Sequence, residues 1–204
     1  MLIHHHRFHG LQRIDFQPET FTTSDLLWLP HHAQLAPCVK KRQTEHLAGR
    51  IAAVYALREW GEKTVPGIGE NRQPLWPAGL YGSISHSGHS AVAIVARTPV
   101  GVDIEAIFSA ALAEELAESI TTAQECARLR HTSLPFPLAL TLAFSAKESL
   151  YKAFSARYPQ LQNFHDAEVC AIDAQQITLQ IPTLALTVSV QWFAVEPQSV
   201  ITRV

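Results

Sequence analysis

Two stretches decide how the chain is read: Gly101-Val102-Asp103-Ile104-Glu105 and Phe144-Ser145-Ala146-Lys147-Glu148-Ser149-Leu150-Tyr151-Lys152. The β-branched Val100, Val102 and Ile104 predict a strand for the first. Side chains alternate along a strand, so Asp103 and Glu105 share one face and Val102 and Ile104 the other. The second stretch lies within residues 138–158, which contain no Gly or Pro and predict a helix. Glu148 and Lys152 are four apart and share a helix face. Where strand and helix meet, three carboxylates and an ammonium converge. Such carboxylates repel one another until a cation joins them. All-oxygen donors that leave positions open for phosphate suit Mg2+.

Each stretch also has a plainer reading. Asp-x-Glu on a strand is commonly a solvated face, and Glu148 with Lys152 makes an ordinary i,i+4 pair. Ser145-x-x-Glu148 fits a helix-capping box. The apolar pattern begins earlier, at Leu138, Leu140 and Leu142, so a cap at Ser145 would fall inside the helix.

Beyond these two, Lys41-Arg42-Gln43-Thr44-Glu45-His46-Leu47-Ala48-Gly49-Arg50, Arg72-Gln73-Pro74-Leu75-Trp76-Pro77 and Gly82-Ser83-Ile84-Ser85-His86-Ser87 stand out. Taken in this order with G-V-D-I-E and F-S-A-K-E-S-x-Y-K, they resemble the 4'-phosphopantetheinyl transferases, in particular the branch that serves siderophore synthesis. The resemblance covers about residues 25–155.

Composition agrees with an ordinary globular chain. The 204 residues are enough for one large domain or two small halves, and 47% apolar residues argue against disorder. A net charge of -2 gives no sign of nucleic acid or an acidic membrane surface as partner. Cys38, Cys126 and Cys170 have no metal-ligand spacing and read as reduced thiols of a cytoplasmic protein. Met1 to Arg7 lack a signal core, and the run His4-His5-His6 reads as a solvated tail. No apolar run is long enough to span a bilayer.

Along the chain, residues 1–24 read as a tail with one edge strand over 12–16. Residues 40–60 predict a helix with Leu47, Ile51, Val54 and Leu57 as its apolar stripe and Gly61 as its stop. Lys40, Lys41 and Arg42 sit at its N-terminal end, where the helix dipole disfavours cations, which suggests an anion nearby. Arg50 lies about two turns beyond Arg42. The Gly- and Pro-rich residues 61–79, which include Arg72, predict a long ordered loop. Residues 80–85 read as a strand, and 90–97 with 100–105 as a hairpin through Thr98-Pro99. Helices are expected over 109–118 and from Thr121 or Thr122, capped by Glu125, to about His131. Strands follow over 168–172, 176–181, 185–195 and 200–203.

The resemblance implies more than the residues alone do. It implies an α+β fold of two similar α/β halves, residues 1–102 and 103–204, related by a pseudo-twofold axis with the active site in the cleft between them. It implies transfer of 4'-phosphopantetheine from coenzyme A to a serine of aryl- or peptidyl-carrier domains of a siderophore synthase, by a monomer. It places Mg2+ on Asp103, Glu105 and Glu148, makes Glu148 the acceptor of the serine proton, and sets Lys152 to neutralise the leaving phosphate. Arg42, Arg50, Arg72 and His86 are then the groups that meet the phosphates of coenzyme A, because bidentate guanidinium suits phosphate. Lys147 reads as an ordinary exposed residue. The carrier is expected to contact residues 107–134, where Leu116, Ile120 and Leu129 read equally well as core. Two other readings of the same residues stay open: a Mg2+-dependent phosphoester or pyrophosphate hydrolase, and a non-catalytic coenzyme A-binding subunit.

Overall fold

The computed structural model describes residues 1–195 and 198–204. The chain folds as two compact units, Met1–Val100 and Gly101–Val204. Among the described residues, no helix is long and apolar enough to cross a membrane.

The first unit is built on a sheet of four strands in the order β1 (Leu2–Phe8), β2 (Leu11–Gln17), β6 (Ser90–Ala96), β5 (Tyr81–Ser87), each pair antiparallel. The expected tail is therefore β1, and the strand expected at an edge is the interior β2. Edge strands carry few burial constraints: Leu2, His4, His5 and His6 are exposed, so β1 lacks the alternation that marks a half-buried strand. A short helix, α1 (His32–Leu35), precedes α2 (Lys40–Arg58), which lies across the sheet. The sheet-facing side of α2 is the alanine row Ala48, Ala52, Ala53 and Ala56 with Leu57, packed on Ile14, Phe16, Ala91 and Ala93. Small side chains let helix and sheet approach closely. Leu47, at the head of the expected stripe, instead packs with Phe21, Leu26, Leu29 and Leu35 in a second small core. Gly61, at φ +80, ends the helical region in the left-handed conformation that glycine adopts without strain. Within the expected loop, β3 (Gly67–Ile68) and β4 (Pro74–Leu75) form a short antiparallel hairpin.

The second unit has a sheet of five described strands in the order β7 (Val102–Ala106), β11 (Ser199–Arg203), β10 (Leu186–Val195), β9 (Gln176–Ile181), β8 (Glu168–Ile172). The expected hairpin between residues 90–97 and 100–105 does not form: β6 pairs with β2 and β5, and β7 pairs with β11. Thr98-Pro99 lies instead at the junction of the two units. Three helices pack on this sheet or on one another: α3 (Ala110–Ile120), α4 (Ala123–Arg130) and α5 (Phe136–Phe154). Thr122 and Glu125 form the expected capping box at the start of α4. Leu140, Leu142, Ala143, Ala146 and Leu150 of α5 form the core with Ile177, Leu179, Val190 and Val200 of the sheet. Ile120 and Leu129 belong to this core, at 2% and 1% exposure, and Leu116 packs against it.

Candidate active site

In the second unit the two decisive stretches meet. A Cβ at Gly101 would lie 1.9 Å from the Ser149 carbonyl oxygen, so only glycine lets the start of β7 come this close to α5. The alternation then turns Asp103 to α5. Register places it opposite Thr202, and Glu105 opposite Val200. Ser145 Oγ donates to Asp103 Oδ2 at 2.8 Å. Lys152 Nζ donates to Asp103 Oδ1 at 2.6 Å and to the Val102 carbonyl at 3.2 Å. Ser145 and Ser149 also bond Thr202 Oγ1, at 2.9 and 2.7 Å. A buried polar seam thus fastens α5 to β7 and β11. Ser145 is a mid-helix residue of this seam, not a cap, and Lys152 serves Asp103.

The carboxylates feel one another. Burial, with Asp103 and Glu148 adding and Lys152 opposing, pushes the Glu105 carboxyl up to about 7. Burial also raises Glu148, with Lys152 opposing and Asp103 adding. Among the described residues, no group of three His, Cys, Asp or Glu side chains is arranged to hold a metal ion. The donor chemistry nonetheless fits a hard divalent cation: three coupled carboxylates, oxygen donors throughout, and one ammonium to offset them.

Lys147 departs from its expected place on the surface. Its Nζ is buried, 2.8 Å from Glu125 Oε1, and donates to the Ile120 carbonyl at 2.8 Å. Glu125 also accepts from the Val169 amide at 2.7 Å. Helix α5 is thereby tied to the end of α3, the start of α4 and the edge strand β8. No local pattern marks this pair, because the partner lies on another helix. Also unread was a cavity of about 250 Å3 beside Glu148, lined by Leu150, Tyr151, Leu161, Gln162, Asn163 and Phe164 among others.

The first unit gathers cations. Arg42 is half-buried near the start of α2 and Arg50 is buried at 5% exposure. Burial and then Arg42 lower Arg50 to about 10. His46 is lowered to about 3, by burial first and then by Arg50, His31, Arg42 and His86. His31 is lowered in the same way, by burial and Arg50. The two neutral imidazoles share a hydrogen bond, Nε2 to Nε2, at 2.9 Å. His86, on β5, has its Nδ1 3.7 Å from Glu45 Oε2. Arg42, Arg50 and His86 are therefore one electrostatic group, and His31 and His46 join it unforeseen. Arg72 is exposed at the tip of the β3–β4 hairpin.

Comparison with known proteins gives the family of the chain. Residues 31–96 match the model of the 4'-phosphopantetheinyl transferase N-terminal domain. Residues 99–202 match that of the 4'-phosphopantetheinyl transferase superfamily. The chain is 54% identical over 202 residues to an enterobactin synthase component D of Salmonella typhi, covering 96% of this chain and 86% of the relative. It is 56% identical over 171 residues to the protein of that name from Escherichia coli O157:H7, covering 84% and 82%. It is 33% identical over 140 residues to the 4'-phosphopantetheinyl transferase Npt of Nocardia iowensis, covering 66% and 62%.

Proposed function

The chain belongs to the 4'-phosphopantetheinyl transferase superfamily, and from that premise we propose that its two residue groups divide one transfer reaction between them. The enzyme moves 4'-phosphopantetheine from coenzyme A to a serine of apo carrier-protein domains and releases adenosine 3',5'-bisphosphate. Its relatives point to carriers of enterobactin-type siderophore synthesis.

The observation that carries the reading is the grip of α5 on Asp103 through Ser145 and Lys152. It brings the Asp-x-Glu strand and the Lys-Glu-x-x-x-Lys helix into one polar seam. The serine hydroxyl attacks a phosphorus of the pyrophosphate, so the site must accept a proton and offset charge on the leaving group. Glu148, on the same helix one turn before Lys152, is the group that takes the proton. Lys152 stabilises the departing phosphate and holds Asp103 oriented. Mg2+ bound by Asp103, Glu105 and Glu148 would supply charge neutralisation at the pyrophosphate. Arg42, Arg72 and His86 meet the phosphates of the donor, with Arg50 adding buried positive charge behind them. The cavity beside Glu148, part apolar and part amide-lined, suits the pantetheine arm.

Intact-mass measurement of apo aryl- and peptidyl-carrier domains after incubation with enzyme, coenzyme A and Mg2+ tests this reading. Each carrier gains one phosphopantetheine, and none is gained without enzyme. Turnover of coenzyme A alone, with no carrier modified, would favour a hydrolase instead.

A further inference from the structure

The β3–β4 hairpin pairs only Gly67 and Ile68 with Leu75 and Pro74. A ladder this short does not hold itself in water. Its tip is demanding as well. Arg72 adopts φ +63, a left-handed conformation that non-glycine residues sustain only where their surroundings impose it. The tip closes on itself through Gly69 N–H to Gln73 O at 2.8 Å and Arg72 N–H to Gly69 O at 2.9 Å. The Gln73 side chain occupies the space that a Cβ on Gly69 would need.

Both arms are anchored from outside. On the outgoing arm, the Trp76 ring lies where a Cβ of Gly82 on β5 would fall, with its atoms 2.6 to 2.7 Å from that point. On the incoming arm, Arg50 Nε donates to the Pro66 carbonyl at 2.8 Å and its second terminal nitrogen to the Gly67 carbonyl at 3.0 Å. A guanidinium presents such donors in a fixed plane, and a lysine cannot reach two successive carbonyls in the same way. Burying this cation with backbone carbonyls as partners, close to Arg42, is unfavourable unless the contact does something specific.

We propose that Arg50 is a positioning residue: its bonds to the Pro66 and Gly67 carbonyls fix the hairpin so that Arg72 at its tip meets the 3'-phosphate of coenzyme A. This rests on the transferase reading above.

The test combines backbone amide exchange with a double-mutant cycle on coenzyme A and dephospho-coenzyme A. Arg50→Lys is paired with Arg50→Gln, which keeps a donor for one carbonyl without the charge, and circular dichroism checks that each variant is folded. Loss of the grip speeds exchange at Gly69 and Arg72 at least tenfold and leaves Ala52 and Ala53 in mid-α2 unchanged. Arg72→Ala raises KM for coenzyme A about tenfold more than KM for dephospho-coenzyme A, as expected for one charged hydrogen-bonding partner. Arg50→Lys reproduces that discrimination loss, and the double variant is no worse than Arg72→Ala. Unchanged exchange at Gly69 and Arg72 overturns the grip. A double variant whose loss is the product of the two single losses overturns the positioning role, because Arg50 would then meet the phosphate itself. Equal loss of both donors in Arg72→Ala overturns the placement of Arg72 at the 3'-phosphate while leaving the exchange result standing. Absence of carrier modification by the wild-type enzyme would count against the transferase reading alone.

Discussion

Lys147 Nζ stands 2.8 Å from Glu125 Oε1 with both side chains buried, at 2% and 0% exposure. Removing one partner of such a pair leaves an uncompensated buried charge. Lys147→Met should destabilise the fold by about 3–5 kcal/mol. Lys147→Met combined with Glu125→Gln should recover much of that loss, since the double variant buries no charge and the glutamine oxygen still accepts from the Val169 amide. Urea denaturation of the two single variants and the double variant measures this; simple additivity of the single losses would show that the pair is not coupled.

His46 predicts a pH dependence of stability with a definite sign. Its folded-state pKa, about 3, lies below the ordinary value of 6.5. Between those two values the unfolded chain binds the proton more readily than the folded one. The contribution is fully present above pH 6.5 and is lost as pH falls toward 3. The neighbours that face it are His31, His86, Arg42 and Arg50, all cations or potential cations, which reinforce the sign. His46→Phe should flatten the stability profile between pH 6.5 and 4 relative to wild type. Parallel profiles for the two proteins, followed by thermal melts across that range, would remove His46 from the account.

The helices between the two decisive stretches make a third prediction. Ala113, Ala117, Ile120 and Leu129 are core, whereas Leu112, Glu115 and Glu118 of α3 are exposed. If carriers dock here, Leu112→Asp and Glu115→Arg should raise KM for the carrier by about tenfold, roughly 1.4 kcal/mol each. KM for coenzyme A should stay unchanged. Steady-state kinetics with each substrate varied in turn separates the two; an unmoved carrier constant would send the docking surface elsewhere.

Local signals in the sequence were strong wherever structure is locally determined. The β-branched alternation at residues 100–104 marked β7, the stretch free of Gly and Pro marked α5, and Thr122 with Glu125 marked the start of α4. Pairing is nonlocal, and there the reading failed. Thr98-Pro99 looks like a hairpin turn, but nothing in it states that β6 and β7 join different sheets. The His-rich β1 shows no alternation because an exposed edge does not require one. Asp103, Glu105 and Glu148 could be singled out, yet the seam of Ser145, Ser149 and Thr202 that fastens their strand and helix spans distant residues. Lys147 and Arg50 looked like surface or ligand residues because their partners, Glu125 and the carbonyls of Pro66 and Gly67, are visible only in the fold.

The central claim is that Glu148 and its neighbouring carboxylates carry phosphopantetheinyl transfer. The most direct measurement is the initial rate of carrier modification by Glu148→Gln at saturating coenzyme A, carrier and Mg2+, beside wild type with and without chelator. Glutamine preserves the shape of the side chain and removes both its basicity and its charge. The rate should fall by about 10²–10⁴-fold with coenzyme A affinity retained, and excess chelator should abolish the wild-type rate. A Glu148→Gln rate near wild type, or full wild-type activity in chelator, would contradict the account.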